Sequence, residues 1–174
     1  MLLQQNNRKC ICFMFFLLII SNAYATDSIC DTDEDVLFSC TMQNGKQLSI
    51  CGVKKENQLL INYKYGKPKK IELIFPQNAQ DNNDLFKYNH YFRYQTDYFR
   101  IVFVNNGYEY EIYRNYDGEN SNEVTAGVNV SNLLSAKTYN NQCKTLQTDR
   151  INQLSDLLDC DNDNALGCEF NKSN

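Results

Sequence analysis

The chain has 174 residues, with 12 Tyr, 10 Phe, 7 Gly and only 2 Pro. That composition carries enough apolar surface to offset chain entropy, and too little Gly and Pro for a fibrous or linker protein. Its formal charge is −4, the wrong sign for a nucleic-acid partner, since phosphate binding needs a net basic face.

Residues 1–25 read as a secretory signal peptide. Arg8 and Lys9 supply the positive start, Cys10 to Ile20 is an uncharged apolar run of 11 residues, and Ala23-Tyr24-Ala25 fits the small pockets of a signal peptidase. A membrane-spanning helix needs about 18 or more apolar residues, so no span is expected once the leader is gone. The remainder, 26–174, is expected to be one domain, periplasmic or secreted, carrying 15 basic against 21 acidic residues.

Cys10 and Cys12 leave with the leader. Cys30, Cys40, Cys51, Cys143, Cys160 and Cys168 remain, an even set bound for an oxidising space, and three disulfides are the expectation. Fifteen pairings of six cysteines are open at this level. The mature part has no CxxC and a single histidine, His90, which argues against zinc.

From about residue 36 the pattern is that of strands. Val36, Phe38, Cys40 and Met42 alternate with polar residues, Asn44-Gly45 signals a hairpin, and Leu48 and Ile50 follow. Both apolar sets are even-numbered, so a three-residue loop that pairs 40 with 48 and 38 with 50 keeps them on one face. In that register Cys40 faces the core side and Cys51 the other, and a direct bridge between them would need a bulge. Leu59, Ile61, Tyr63 and Tyr65 form the next set, Gly66-Lys67-Pro68 breaks it, and Ile71, Leu73 and Phe75 resume up to Pro76. Residues 77–84 are a polar loop, and the aromatic stretch 85–104 splits into two strands around Gln95-Thr96-Asp97. A turn at Asn106-Gly107 sets Phe103 opposite Tyr110 and Ile101 opposite Ile112. Val124 to Val130 is a short strand with Gly127 as either a bulge or a close-approach point, and 136–142 is one strand more. Ile151, Leu154, Leu157 and Leu158 recur with helical spacing after Thr148 and Asp149, which predicts an amphipathic helix over about 149–159. Cys160 and Cys168 suit a small disulfide loop. The expected fold is mainly β: an antiparallel sandwich or barrel of about eight strands with one C-terminal helix, stapled by disulfides.

Few chemistries are supported. His90 lies in a strand with no nucleophile motif near it, paired cysteines do not attack, and no phosphate loop is present. No cofactor is expected. Carboxylate chemistry would need facing acids, for which Glu109 with Glu111, and Asp31, Asp33, Glu34 and Asp35, are available. Asp159, Asp161 and Asp163 start like a calcium loop but lack its Gly and Glu. Lys64, Lys67, Lys69 and Lys70 crowd one segment, suggesting either a docking patch for an anionic envelope component or an edge protected from aggregation. The Tyr-rich strands offer amphipathic rings for sugars or protein surfaces.

Phe38-Ser39-Cys40 with Asn44-Gly45-Lys46 and Cys51, then Tyr63-x-Tyr65-Gly66-Lys67-Pro68, then Asn106-Gly107-Tyr108-x-Tyr110, then Ala126-Gly127-Val128-x-Val130, resemble an uncharacterised family of small exported proteobacterial proteins. The resemblance spans about 36–143 and implies a fold, with no catalytic residues to carry over. A looser likeness is to membrane-bound C-type lysozyme inhibitors, small β-barrels whose first strand also carries a Cys before a Gly turn; their Ser-Gly-x-x-Tyr segment is absent here. The functional expectation is a non-enzymatic binding module for a protein or envelope component. The alternatives are an inhibitor of a lysozyme-like hydrolase and a small carboxylate-dependent hydrolase.

Overall fold

The computed structural model describes residues 28–77 and 83–168; the expected signal peptide lies outside them. Ten strands form: β1 (Asp35–Met42), β2 (Gln47–Lys55), β3 (Gln58–Lys67), β4 (Lys70–Phe75), β5 (Lys87–Arg93), β6 (Thr96–Asn105), β7 (Tyr108–Asp117), β8 (Val124–Asn132), β9 (Thr138–Asp149) and β10 (Asp159–Cys160). They make one sheet in the order β10-β5-β6-β7-β8-β9-β1-β2-β3-β4. The sheet curls into a half-barrel, so that rings from β3 and β4 pack on rings from β6 and β7. All neighbours are antiparallel except β10 with β5, which makes the sheet mixed.

Hydrophobic alternation sets the register. Phe38 pairs with Ile50 and Cys40 with Leu48, and Gly45 takes φ 75° in the turn. In the second hairpin Phe103 pairs with Tyr110 and Ile101 with Ile112, across a turn in which Asn106 and Gly107 both have positive φ. The inward side chains Phe38, Leu48, Ile50, Phe99, Ile101 and Ile112 are fully buried and form the core. Burying a side chain of this size stabilises by roughly 1.5–3 kcal/mol.

Two parts of the sheet differ from the expectation. Ten strands replace about eight, because β9 runs on to Asp149 and the short β10 adds itself in parallel. The early half of β9 pairs with β8 and the later half with β1, so this strand turns the corner of the curl. The helix expected over 149–159 does not form. Asp149 is still strand, opposite Phe38, and only Ile151–Asp156 winds, as a 3-10 helix. Ile151 and Leu154 are three apart, which is the 3-10 period, and both are fully buried. The parallel ladder that begins at Asp159 leaves no chain for further turns.

Three disulfides are present: Cys30–Cys51, Cys40–Cys143 and Cys160–Cys168. They fit an oxidising, extracytoplasmic environment. Cys40 lies on the core face, as its register requires, and ties β1 to β9. Cys51 is on the opposite face and takes Cys30, so no Cys40–Cys51 bridge forms; the ladder bulges between Val36 and Phe38, and Val36 pairs with Cys51. The segment at 28–34 thereby covers the outer face of β1 and β2, with the Ile29 amide donating to Ser49 Oγ at 3.3 Å. The Cys160–Cys168 loop covers the free edge of β5. Asp161 N donates to Tyr88 O, His90 N donates to Gly167 O, and Asn89 Nδ2 donates to Asp161 O at 2.8 Å. Among the described residues, no helix is long and apolar enough to cross a membrane.

Candidate functional site

Because the strands meander, the turns β1–β2, β3–β4, β6–β7 and β8–β9 all lie at one end of the half-barrel. That end opens on a cleft of about 500 Å³ between β3–β4 and the β6–β7 hairpin. Leu73, Val128 and Val130 line it together with Tyr63 and Tyr110, which belong to a packed group of rings. Phe75 stacks on Phe103 at 4.3 Å, Phe103 stacks on Tyr110 at 4.8 Å, and Tyr63 leans on both Phe103 and Tyr110. Tyr65 and Tyr108 continue the lining towards solvent, with the amides of Asn105, Asn106 and Asn141 around them.

Two of the tyrosines, Tyr63 and Tyr110, are held in the neutral form. Burial pushes the Tyr63 hydroxyl well above its ordinary pKa, and the neighbouring hydroxyls of Tyr65 and Tyr110 push it further. Tyr110 is raised in the same way, by burial and then by Tyr108.

Glu72 is the carboxylate that lines the cleft, and a bulge places it there. Tyr65 pairs with Leu73 and Gly66 with Ile71, so Glu72 is left without a partner across the ladder. Gly66 permits this with φ 148°, and a Cβ at that position would stand 2.6 Å from the Lys70 carbonyl oxygen. Lys46 Nζ donates to Glu72 Oε2 at 2.6 Å while lying 5.2 Å over the Tyr65 ring, and Asn44 Nδ2 donates to Tyr65 Oη. The tip of the first hairpin is thus clipped to the rim.

The four predicted lysines do not act together. Lys64 points to the outer face, 4% exposed, and its ammonium donates to Asp31 at 2.7 Å and Glu34 at 2.6 Å. Burial works to lower its pKa, but the two carboxylates outweigh it and hold the ammonium above its ordinary value. Asp31 and Glu34, of the acidic cluster at the start of the domain, are therefore partners of this lysine, while Asp35 pairs with Lys54. Lys67, Lys69 and Lys70 are exposed on the β3–β4 turn, beside the cleft rim.

The three aspartates of the calcium-like segment are also separated. Asp159 lines a hollow of about 320 Å³ with Asp84 and Asp156, near the opposite end of the half-barrel. Asp161 lends its backbone to the cover over β5, and Asp163 is exposed in the loop. The close-set potential ligand group among the described residues is Cys30, Glu34 and Cys51, whose two sulfurs are bonded to each other.

His90 belongs to an ion network at that same opposite end. Its Nε2 lies 2.9 Å from Asp97 Oδ1, Arg114 donates to Asp97 at 2.6 Å, and Arg114 also donates to Asp149 at 2.9 Å. Burial opposes the Asp97 charge, yet the bonds from His90 and Arg114 win and lower its pKa. Glu111 accepts from Asn129 Nδ2 at 2.8 Å, and Arg100 stands 3.7 Å from it.

Sequence reasoning reached the tyrosines but missed the Glu72–Lys46 clip. The bulge that creates it is signalled only by the Gly inside Tyr65-Gly66-Lys67. Also missed is the β8–β9 tip, where Leu133 and Leu134 are 53% and 97% exposed. No family model, curated protein or solved structure matches the chain.

Proposed function

We propose that this chain is an exported, non-enzymatic binding protein of the periplasm or the cell exterior, and that it takes its ligand in the tyrosine-lined cleft at the hairpin end. The observation that carries the reading is the cleft itself. Four tyrosines and three aliphatic side chains line it, three asparagine amides stand among them, and a disulfide-stapled sheet holds it in place. Pockets of this size, lined by apolar and aromatic side chains with a few convergent polar groups, are the usual form of a ligand site.

The test is backbone-amide NMR of the oxidised mature protein, titrated with soluble envelope and extracellular fractions. Shifts confined to residues 44–46, 63–73 and 105–110, and lost in Tyr108→Ala, support the reading. Shifts centred on 57–60 and 156–159 refute it and favour the hydrolase alternative, whose support is the hollow bearing Asp84, Asp156 and Asp159. The inhibitor alternative draws on the projecting Leu133–Leu134 tip. It predicts protection of a lysozyme substrate by the wild type and none by Leu134→Asp.

A further inference from the structure

The cleft and the lysines beside it differ in character from the rest of this acidic chain. Lys67 pairs directly with Lys70 across the β3–β4 turn. Like charges facing each other in a ladder repel, and neither of these lysines, nor Lys69, has an ion-pair partner among the described residues. Glu72, the one carboxylate lining the cleft, is neutralised by Lys46. The rim therefore carries an uncompensated positive charge on a protein of net charge −4. An anion held at the turn would relieve the repulsion.

The interior of the cleft asks for a different chemistry. Tyr108, 38% exposed, offers ring surface, Leu73, Val128 and Val130 add apolar lining, and Lys46 lies over the Tyr65 ring. The Asn105, Asn106 and Asn141 amides and the tyrosine hydroxyls offer both donors and acceptors. A purely apolar ligand would leave those amides unpaired, which costs free energy in a desolvated site. A simple inorganic anion would leave the rings uncovered. A pyranose satisfies both, because its C–H face lies on an aromatic ring while its hydroxyls point outward to amides.

We infer that the ligand is an acidic oligosaccharide, a sugar ring stacked on Tyr108 and its carboxylate or sulfate groups held by Lys67, Lys69 and Lys70. This inference rests on the cleft being the binding site and names the class of its ligand. Arginine is absent from both the rim and the lining, so the anion meets point charges on flexible stems. Binding is accordingly salt-sensitive and tolerant of anion geometry.

The experiment is calorimetric titration of the oxidised mature protein with four probes: tetragalacturonate, a sulfated heparin tetrasaccharide, neutral chitotetraose and tetraglutamate. Expected is measurable binding of at least one acidic sugar, at least tenfold tighter than chitotetraose, with no binding of tetraglutamate. Which acidic sugar binds distinguishes the carboxylated from the sulfated source. The triple variant Lys67→Gln/Lys69→Gln/Lys70→Gln brings the acidic sugar about tenfold down, towards the neutral one, as three screened surface pairs would. Tyr108→Ala removes binding of both. Tetraglutamate binding as well as tetragalacturonate overturns the inference, since charge alone would then suffice, and so does equal binding of neutral and acidic sugars. If none of the four binds, the inference also falls. The cleft reading still stands in that case if envelope fractions shift its amides in NMR, and falls with it if they do not.

Discussion

The disulfide between Cys40 and Cys143 closes the longest loop, with a sequence separation of 103, against 21 for Cys30–Cys51 and 8 for Cys160–Cys168. In the chain-entropy account, the stabilisation grows with the logarithm of loop length. It comes to about 4.7, 3.3 and 2.5 kcal/mol for the three bridges in that order. Cys40 is also fully buried, so Cys40→Ala/Cys143→Ala leaves a small void that adds to the loss with the same sign. The double variant should therefore unfold at a temperature roughly 10–20 °C lower, at about 2–4 °C per kcal/mol for a chain of this size. Its midpoint should move by about 2 M in urea. The assay is urea and thermal unfolding followed by far-UV circular dichroism, with the three double variants measured side by side. Free energies should be compared rather than midpoints alone, because removing a cross-link expands the unfolded chain and raises the denaturant slope. If the Cys160→Ala/Cys168→Ala variant lost as much as Cys40→Ala/Cys143→Ala, the pairing or the loop-entropy reasoning would be wrong.

Gly127→Ala should destabilise by about 1–3 kcal/mol. The added Cβ would lie 2.3 Å from the Asn141 carbonyl oxygen and 2.6 Å from Tyr113 Oη, and the first of these is backbone that cannot swing away; a melt within 1 °C of wild type would contradict the packing between β8 and β9. Acid unfolding should report Asp97. Its pKa is lowered in the folded state, so its contribution is fully present above the unfolded value of about 3.9 and is lost as pH falls through the folded one. Asp97→Asn should be less stable than wild type at pH 7, with the gap closing below about pH 4; a constant gap from pH 7 to pH 2 would show that the charge plays no part.

The parts of the fold legible in the sequence are those that local chemistry decides. Phe38, Cys40, Leu48 and Ile50 share a parity, Asn44-Gly45 turns the chain, and only one register keeps the four residues together. Asn106-Gly107 acts likewise in the second hairpin, and Gly127 sits where the partner backbone comes too close for a side chain. What escaped notice depends on distant partners. The later half of β9 shifts register twice against β1, which breaks the alternation a strand would otherwise display. Ile151, Leu154 and Leu157 fit a period of three as well as 3.6, and the neighbouring ladders choose between them. Lys64 looks like its exposed neighbours in sequence, and only the return of Asp31 and Glu34 through the Cys30–Cys51 link buries it. For the candidate site, the tyrosines were visible as residue types. Their convergence was not, because it depends on the curl that brings β3 and β4 against β6 and β7.

The cover over β5 has a consequence for self-association. A sheet with both borders bare can recruit copies indefinitely and grow into a fibre. Here one border is occupied by the chain's own tail, fastened by a covalent link, and the last strand at the other border, β4, is only six residues long. Edge-to-edge backbone pairing through β4 would therefore join two molecules and then stop, a built-in chain terminator.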